Sequence, residues 1–305
     1  MKKTFTAIIL AGLALCAFAA AARIARSEEK LTPQQLVLQR IGAARAIIFN
    51  GDDFGASETI NRSIVAGFRE GMLTSTTIMT PYPFAWQAYE IIRNNPSIDA
   101  GVHLTLTSEG KEPVFRPLTP AEQLPSIVTA QGFLPVGIKP LLNASKKELE
   151  LELEAQIKAA LANGVDVTHF DCHQGFYHAY DPKMLKVVLA LADKYRLPIR
   201  WAGRSSDPML RAKNIVTPDY LTGPDIDGPF APKKEKMLAA IENLPEGITE
   251  FIIHTSDEDP AEGRGAILAL MKDPDIRAAI EKRGAKLIGY RALRDVQREL
   301  DGKDK

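Results

Sequence analysis

The chain has 305 residues, of which 25% are charged, and its 38 Lys and Arg are balanced by 38 Asp and Glu. With hydrophobic residues at 45%, this composition is typical of a globular protein with a large core. It includes no basic stripe of the kind that binds nucleic acid, so we expect no nucleic-acid partner.

The N-terminal segment has the pattern of a secretory signal peptide. Two lysines precede an apolar run from Phe5 to Ala22, with small residues suited to cleavage near positions 17–19. This pattern predicts a signal peptide at residues 1–22 and a secreted or periplasmic protein with no stable membrane span after cleavage. An uncleaved anchor is the alternative, because the run nearly reaches the roughly 20 residues that span a membrane.

Beyond the signal peptide, we predict an N-terminal linker at residues 23–44 and a single domain at residues 45–300. Cys16 lies in the signal peptide, which leaves Cys172 as the only thiol of the mature chain. No internal disulfide is then possible, and stability must come from packing.

Short β-like runs alternate with amphipathic helical patterns from residue 45 onward. Strands are predicted at 46–49, 73–79, 98–106, 167–170, 199–201, 249–253 and 286–288. Ser57 is the expected N-cap of the first intervening helix, and Ser145 with Glu148 matches a capping box that opens a later one. This alternation predicts a parallel sheet. An irregular (β/α) barrel of mostly parallel strands fits best, because the candidate site residues follow several different strands.

Two stretches interrupt this alternation. Residues 108–144 contain six prolines, which make a helix or a central strand improbable there, and residues 203–232 form a second irregular stretch rich in Pro, Gly and Asp. A loop as long as 108–144 within a compact domain is usually functional, so we expect a lid or a wall of a substrate site.

Asp52 and Asp53 directly follow the first apolar strand, where β/α enzymes place catalytic groups. Adjacent carboxylates at a strand end point in different directions. One can therefore bind a metal ion while its neighbour takes a proton from a water molecule. The alternative is that one of them only caps the following helix.

Four of the five histidines lie at or after predicted strands: His103, His169, His173 and His254. Imidazole and carboxylate ligands with an open position suit a catalytic Zn²⁺ or a similar divalent ion. The alternation of side chains along a strand places His169, Asp171 and His173 on one side and Cys172 on the other. Cys172 is therefore expected in the core, and Asp171 is a candidate to orient a ligand imidazole.

Three motifs resemble those of the YdjC-like carbohydrate deacetylases. They are FNGDDFGASETINRSIVAGFREGMLTSTTIM at 49–79, GVHLTLT at 101–107 and THFDCHQ at 168–174. The likeness spans Ile47 to about Tyr290, with the motifs in the expected order and spacing. It implies an irregular (β/α) barrel that is polysaccharide-deacetylase-like.

By this resemblance, Asp53, His103 and His173 would be the ligands of one divalent metal ion, Mg²⁺ or Zn²⁺. Asp52 would be the general base, and His254 the general acid that protonates the leaving amine. The implied reaction is hydrolysis of an N-acetyl group from an amino sugar or oligosaccharide, which makes an acetylated amino sugar the expected substrate. The sequence does not define the oligomeric state, and a homodimer is one candidate.

The chain departs from the family pattern at two places. Gly175 stands where the family commonly has a second histidine, and His178 is a candidate to substitute for that histidine. Thr255 and Ser256 follow His254, where the family usually has a Pro-Gly turn. Two other functions therefore stay open: an esterase acting on O-acetyl groups with the same metal site, and a secreted carbohydrate-binding protein that has lost catalysis.

Several aromatic side chains in or near the irregular stretches are candidates either for stacking on sugar rings or for ordinary packing. They are Phe115, Phe133, Phe176, Tyr177 and Trp201.

Overall fold

The computed structural model describes residues 31–110, 114–177, 182–203 and 205–302. The predicted signal peptide lies outside the described residues, and so does His178. No helix in the described ranges is long and apolar enough to cross a membrane.

Seven strands in the described ranges form one sheet, and every pairing in it is parallel. They are β1 (Arg45–Phe54), β2 (Ser75–Ile78), β3 (Ala100–Leu104), β4 (Val167–Cys172), β5 (Tyr220–Thr222), β6 (Gly247–Ile253) and β7 (Lys286–Leu287). Their order is β4-β3-β2-β1-β6-β5, and β7 pairs with the start of β1. The strands β1 and β6 are neighbours and pair in one continuous register, from Arg45 opposite Gly247 to Gly51 opposite Ile253.

The two edges of this sheet approach each other through the segment around Ile199. Ile199 forms an isolated parallel bridge with Phe170 of β4, and its N–H donates to the carbonyl of Val216, shortly before β5. The sheet is therefore curled into an irregular (β/α) barrel, which confirms the predicted fold class.

One predicted strand is wrong. Residues 199–201 contribute only the bridge at Ile199. On the side of β4, the backbone hydrogen bonds here involve Phe170 alone: its N–H donates to the Pro198 carbonyl, and its carbonyl accepts from the Arg200 N–H. The strand β5 lies instead in the stretch 203–232, which was expected to be irregular. Its three residues are too few to produce a visible alternation.

Helices follow most of the strands. They are α1 (Pro33–Ile41), α2 (Glu58–Arg69), α3 (Ala85–Asn94), α4 (Lys146–Ala162), α5 (Pro182–Tyr195), α6 (Pro208–Arg211), α7 (Phe230–Glu242), α8 (Gly263–Met271), α9 (Pro274–Arg283) and α10 (Arg291–Leu300). The helix α1 lies within the segment expected to be a linker, and Val37 of α1 packs in a cluster with Leu293 and Val296 of α10.

The inner face of β1 changes from apolar to polar along the strand. Ala46 and Ile48 pack in the same cluster as α1 and α10, and two and four residues further along the same face come Asn50 and Asp52. The alternate residues, such as Ile47 and Phe49, belong to the main hydrophobic core. The barrel interior therefore has an apolar lower end and a polar upper end, where the strands terminate.

The predicted helix caps have different outcomes. Ser57 is the N-cap of α2, since its hydroxyl accepts a hydrogen bond from the N–H of Ile60 at 3.2 Å. The capping box at Ser145 is wrong, because the Ser145 side chain makes no cap hydrogen bond. The Glu148 carboxylate instead accepts hydrogen bonds from the N–H and the hydroxyl of Ser126, both at 2.7 Å.

The long loop 108–144 is anchored on α4 by two carboxylates, of which Glu152 is buried and Glu148 is partly exposed. Besides the contact of Glu148, Glu152 accepts hydrogen bonds from the N–H groups of Leu118 and Thr119, at 3.1 and 2.9 Å. Two short 3₁₀ turns, Ala121–Gln123 and Lys139–Asn143, lie within it. The described part of this loop is therefore a fixed wall rather than an extended strap.

Gly55, directly after β1, offers a test of the local fold. Its φ is 95°, and a Cβ there would lie 3.0 Å from Ala85 Cα. Gly110 has a φ of 93° with open space around it, and is a matched control. We expect Gly110→Ala to cost about 1 kcal/mol of unfolding free energy, and Gly55→Ala to cost about 1–3 kcal/mol more from overpacking. Urea denaturation measures both, and equal losses would contradict the packing at Gly55.

Candidate metal centre

The end of β1 is irregular at the two predicted aspartates. The register of β1 against β2 shifts between Gly51 and Phe54, and Asp53 has a left-handed φ of 66°. Such a backbone costs about 1–3 kcal/mol in a non-glycine residue, although aspartate tolerates it better than most. The irregularity turns the Asp52 and Asp53 side chains toward different partners, as the sequence predicted.

The three predicted metal ligands converge. Asp53 Oδ1 lies 3.3 Å from His103 Nε2 and 3.5 Å from His173 Nδ1, and all three side chains are buried. Asp53 Oδ1 accepts no hydrogen bond from the described part of the chain. A buried carboxylate oxygen that faces two imidazole nitrogens is the arrangement expected around a cation. The residues therefore fit a divalent metal ion.

The charge around His103 leads to the same conclusion. Its Nδ1 donates to Asp171 Oδ1 at 2.7 Å, and its Nε2 faces Asp53. Burial lowers the pKa of His103, but the carboxylates of Asp171, Asp53 and Asp52 outweigh burial and raise the pKa to about 10. His103 thus lies between two carboxylates that would also attract a bound cation. Asp171 occupies the place predicted for the group that orients a ligand imidazole.

Asp52 has a partner that the sequence analysis did not single out. The Arg200 guanidinium contacts both carboxylate oxygens of Asp52, at 2.7 and 2.6 Å, and also lies 3.0 Å from Asp171 and 2.7 Å from Glu250. Burial raises the pKa of Asp52, but Arg200 overcomes this and holds the pKa well below its usual range. Asp52 is therefore a carboxylate and is fixed in orientation.

The same guanidinium excludes a second metal position. Asp52, His103 and Asp171 also lie close enough together to hold an ion. Arg200 already contacts two of these three groups, so its charge occupies that place. Within the described ranges, the cluster around Asp53 is the one that calls for an added cation.

His254 lies where the sequence analysis expected the acid. It follows β6, and its Nε2 is 3.7 Å from Asp52 Oδ2. Burial lowers the pKa of His254, and the nearby Asp52 and Asp53 do not offset it. The ring is therefore neutral at pH 7 and must take up a proton before it can donate one.

Two further charged residues that the sequence analysis missed contact the ligands. Arg264 Nη1 donates to Asp53 Oδ2 at 2.7 Å, and Glu109 Oε1 lies 3.3 Å from His173 Nε2. Arg264 stands at the start of a helix and Glu109 in a loop, where charged residues are ordinary. Arg200 could have been recognised from the sequence more easily than Arg264 or Glu109. An arginine within an apolar run is expected to be buried, and a buried arginine needs carboxylate partners.

His169 and Cys172 do not join the candidate ligands. His169 is fully buried and stacks on the ring of Tyr290, with centroids 3.6 Å apart. Three histidines rather than four therefore meet at the site. Cys172 packs in the hydrophobic core, as predicted, and burial raises the pKa of its thiol.

The aromatic candidates for sugar stacking are mostly packing residues. Phe176 and Tyr177 are buried in the core, and the Tyr177 hydroxyl donates to the Arg200 carbonyl at 2.7 Å. Phe115 stacks on Tyr82 with centroids 3.8 Å apart, and the Arg116 guanidinium lies over the ring of Phe133. Phe176 and Tyr177 are thus excluded as sugar platforms.

A cavity of about 290 Å³ opens above the ligand cluster. Its floor contains the candidate ligands together with Asp52 and His254, and Glu109 and Arg264 line it as well. Three apolar side chains, Leu221, Ile226 and Ile252, form part of the wall. This volume is at the small end of the range for sites that bind small molecules.

Comparison with known proteins defines the family. Residues 46–282 match the family described as YdjC-like protein. A carbohydrate deacetylase of Geobacillus stearothermophilus is 31% identical over 81% of this chain and 97% of its own length. Another carbohydrate deacetylase, from Thermoanaerobacter pseudethanolicus, is 31% identical over 70% of this chain and 82% of its own length. The chain belongs to the YdjC-like family of carbohydrate deacetylases.

A solved structure from Enterococcus faecalis, named as a cellobiose-phosphate cleavage protein, is also similar. It has a TM-score of 0.72 and 28% identity, and the match covers 82% of this chain and 99% of that one. The two chains therefore share the irregular barrel over nearly all of the domain.

The raised pKa of His103 predicts how ion binding depends on pH. When the pH is below the His103 pKa of about 10, the metal-free imidazole carries a proton on Nε2. A metal ion must displace this proton in order to bind. We expect one proton to be released from His103 per Zn²⁺ bound at pH 7, and the affinity to rise with pH up to about 10. Titration calorimetry in two buffers of different ionisation enthalpy measures this. Binding without proton release would contradict it.

Proposed function

We propose that the protein is a metal-dependent deacetylase that hydrolyses the N-acetyl group of an amino sugar or oligosaccharide and releases acetate. The observation that carries this proposal is the convergence of Asp53, His103 and His173 beside Asp52 and His254 in one cavity. The names of the curated relatives support the class of substrate.

Asp53, His103 and His173 would hold the ion through one carboxylate oxygen and two imidazole nitrogens. Such ligands suit Zn²⁺, and Mg²⁺ is the other candidate. When bound, the ion would supply Lewis acidity toward the acetamide carbonyl and toward a water molecule.

Asp52 is the group that takes the proton from the attacking water in this proposal. Arg200 keeps the carboxylate ionised and aims it, so Asp52 is ready to accept without rearrangement. The water oxygen forms a bond to the carbonyl carbon as its O–H bond breaks and the proton passes to Asp52, while the π electrons of the carbonyl move onto its oxygen.

His254 completes the reaction by protonating the leaving nitrogen. Since its pKa is lowered, the neutral ring must first gain a proton, and Asp52 Oδ2 is 3.7 Å from its Nε2. The proton taken from water can therefore pass from Asp52 to His254 and then to the nitrogen as the C–N bond breaks. The products are acetate and a free amine.

Two substitutions separate the roles of base and ligand. Asp52→Asn should keep the metal content and lower kcat by about 10²–10⁴-fold, as expected for loss of a general base. His173→Ala should lose the ion itself. Metal analysis of the purified variants, with acetate release measured on N-acetylglucosamine oligomers, tests both. Full activity in both variants would refute the assignment.

The choice of acetyl group is tested with matched substrates. N-acetylated and O-acetylated sugars of the same chain length, incubated with metal-loaded protein, should release acetate only from the former. Release from the O-acetylated sugar alone would identify an esterase. Binding without release from either would indicate a carbohydrate-binding protein.

The localisation that we propose is secreted or periplasmic, supported by the pattern of residues 1–22. Mass spectrometry of the mature N-terminus in periplasmic and culture fractions tests cleavage of this segment. An intact N-terminus in the membrane fraction would favour the anchor.

A further inference from the structure

The two oxygens of the Asp53 carboxylate have different partners. Oδ2 accepts a hydrogen bond from Arg264 Nη1 at 2.7 Å, whereas Oδ1 faces His103 and His173 and accepts no hydrogen bond from the described residues. A free carboxylate beside a cation can bind it through either oxygen or through both. The structure leaves Asp53 with one oxygen for this purpose.

The backbone holds Asp53 in this orientation. Its φ of 66° fixes the direction of the side chain, and its carbonyl accepts a hydrogen bond from the Ala56 N–H at 3.0 Å. The side chain is 3% exposed, so it has little room to rotate. The division between the two oxygens therefore follows from the fold.

Arg264 is also presented from a fixed backbone. It is the second residue of α8, after Gly263, whose N–H donates to the Gly228 carbonyl at 3.0 Å. The carbonyl of Arg264 accepts a hydrogen bond from the N–H of Ser256, in the loop that follows His254. This ties the backbone of Arg264 to the same loop as the proposed acid. The side chain is 24% exposed and lines the cavity.

We propose that Arg264 is a positioning residue that restricts Asp53 to a single oxygen ligand, an inference that rests on the proposed metal-dependent function. With Oδ2 engaged by Arg264, the protein supplies one carboxylate oxygen and two imidazole nitrogens. Three protein ligands are what catalytic zinc sites use, with the remaining position left for water or substrate. The positive charge of Arg264 also draws electron density from Asp53, which makes a bound ion a stronger Lewis acid.

The proposal predicts opposite effects on affinity and on turnover. Arg264→Met removes a cation and frees Oδ2, so the affinity for Zn²⁺ should stay equal or rise. The kcat of the metal-loaded variant should fall about 10- to 100-fold, the usual effect of losing a group that orients a ligand. Arg264→Lys, which keeps a donor and the charge, should recover part of kcat.

The experiment measures Zn²⁺ affinity by competition with a chelator, without substrate, and then kcat and KM of the loaded protein. Arg62→Met is the matched control. Arg62 pairs with Asp257 at 2.5 Å and so also tethers the loop after His254, but it is 56% exposed and Asp257 is not a candidate ligand. This control should keep both affinity and kcat near wild type.

Three results would overturn the proposal for Arg264. A tenfold or greater loss of Zn²⁺ affinity with kcat unchanged would make Arg264 a support of the ligand. A raised KM with kcat unchanged would make it a substrate contact, and no change in any value would remove its role. A wild-type protein that binds no Zn²⁺ or releases no acetate would instead refute the proposed function itself.

Discussion

The buried guanidinium of Arg200 is the interaction on which the rest of the site depends. It lies within 3.0 Å of carboxylate oxygens of Asp52, Asp171 and Glu250, each of which would be costly to bury alone. Through Asp171 it also reaches His103, whose Nδ1 donates to the same carboxylate. One cation therefore organises both the proposed base and a proposed metal ligand. Asp53 pairs with Arg264 instead, and its other oxygen faces His103 and His173, where an added cation fits.

The barrel makes this network possible by separating its interior into two parts. Below, Ile48 and Tyr290 pack with α1 and α10 and exclude water. Above, Asn50, Asp52 and Glu250 occupy the inner faces of the neighbouring strands β1 and β6. The Tyr290 hydroxyl donates to Glu250, which joins the apolar part to the polar part. The hydrogen-bonded network gives the charged groups fixed positions, and the cavity above them admits a small polar group.

Sequence reasoning located the groups whose signal is local. Asp52 and Asp53 follow an apolar strand, and His103 and His173 lie in motifs of the family, so their neighbours in sequence identify them. Partners distant in sequence could not be found this way. Arg200 is 148 residues from Asp52, and Arg264 is 211 residues from Asp53.

The errors in the predicted fold have the same physical origin. Ser145 and Glu148 have the spacing of a capping box, but Ser126 in the long loop competes successfully for the carboxylate. Strand β5 is defined by its pairing with β6, since its three residues show no pattern of their own. A local sequence pattern predicts a helix or strand well when the residues that stabilise it lie within that element. It predicts less well when a contact with a residue distant in sequence determines the structure.

The measurement that tests this account most directly is a crystal structure of the protein grown with Zn²⁺, with the ion located by anomalous scattering. The account predicts one ion at about 2.0–2.2 Å from Asp53 Oδ1, His103 Nε2 and His173 Nδ1, with the Arg200 pair to Asp52 intact. An ion bound by Asp52 in place of Asp53, or absent from this cavity while bound elsewhere, would contradict it.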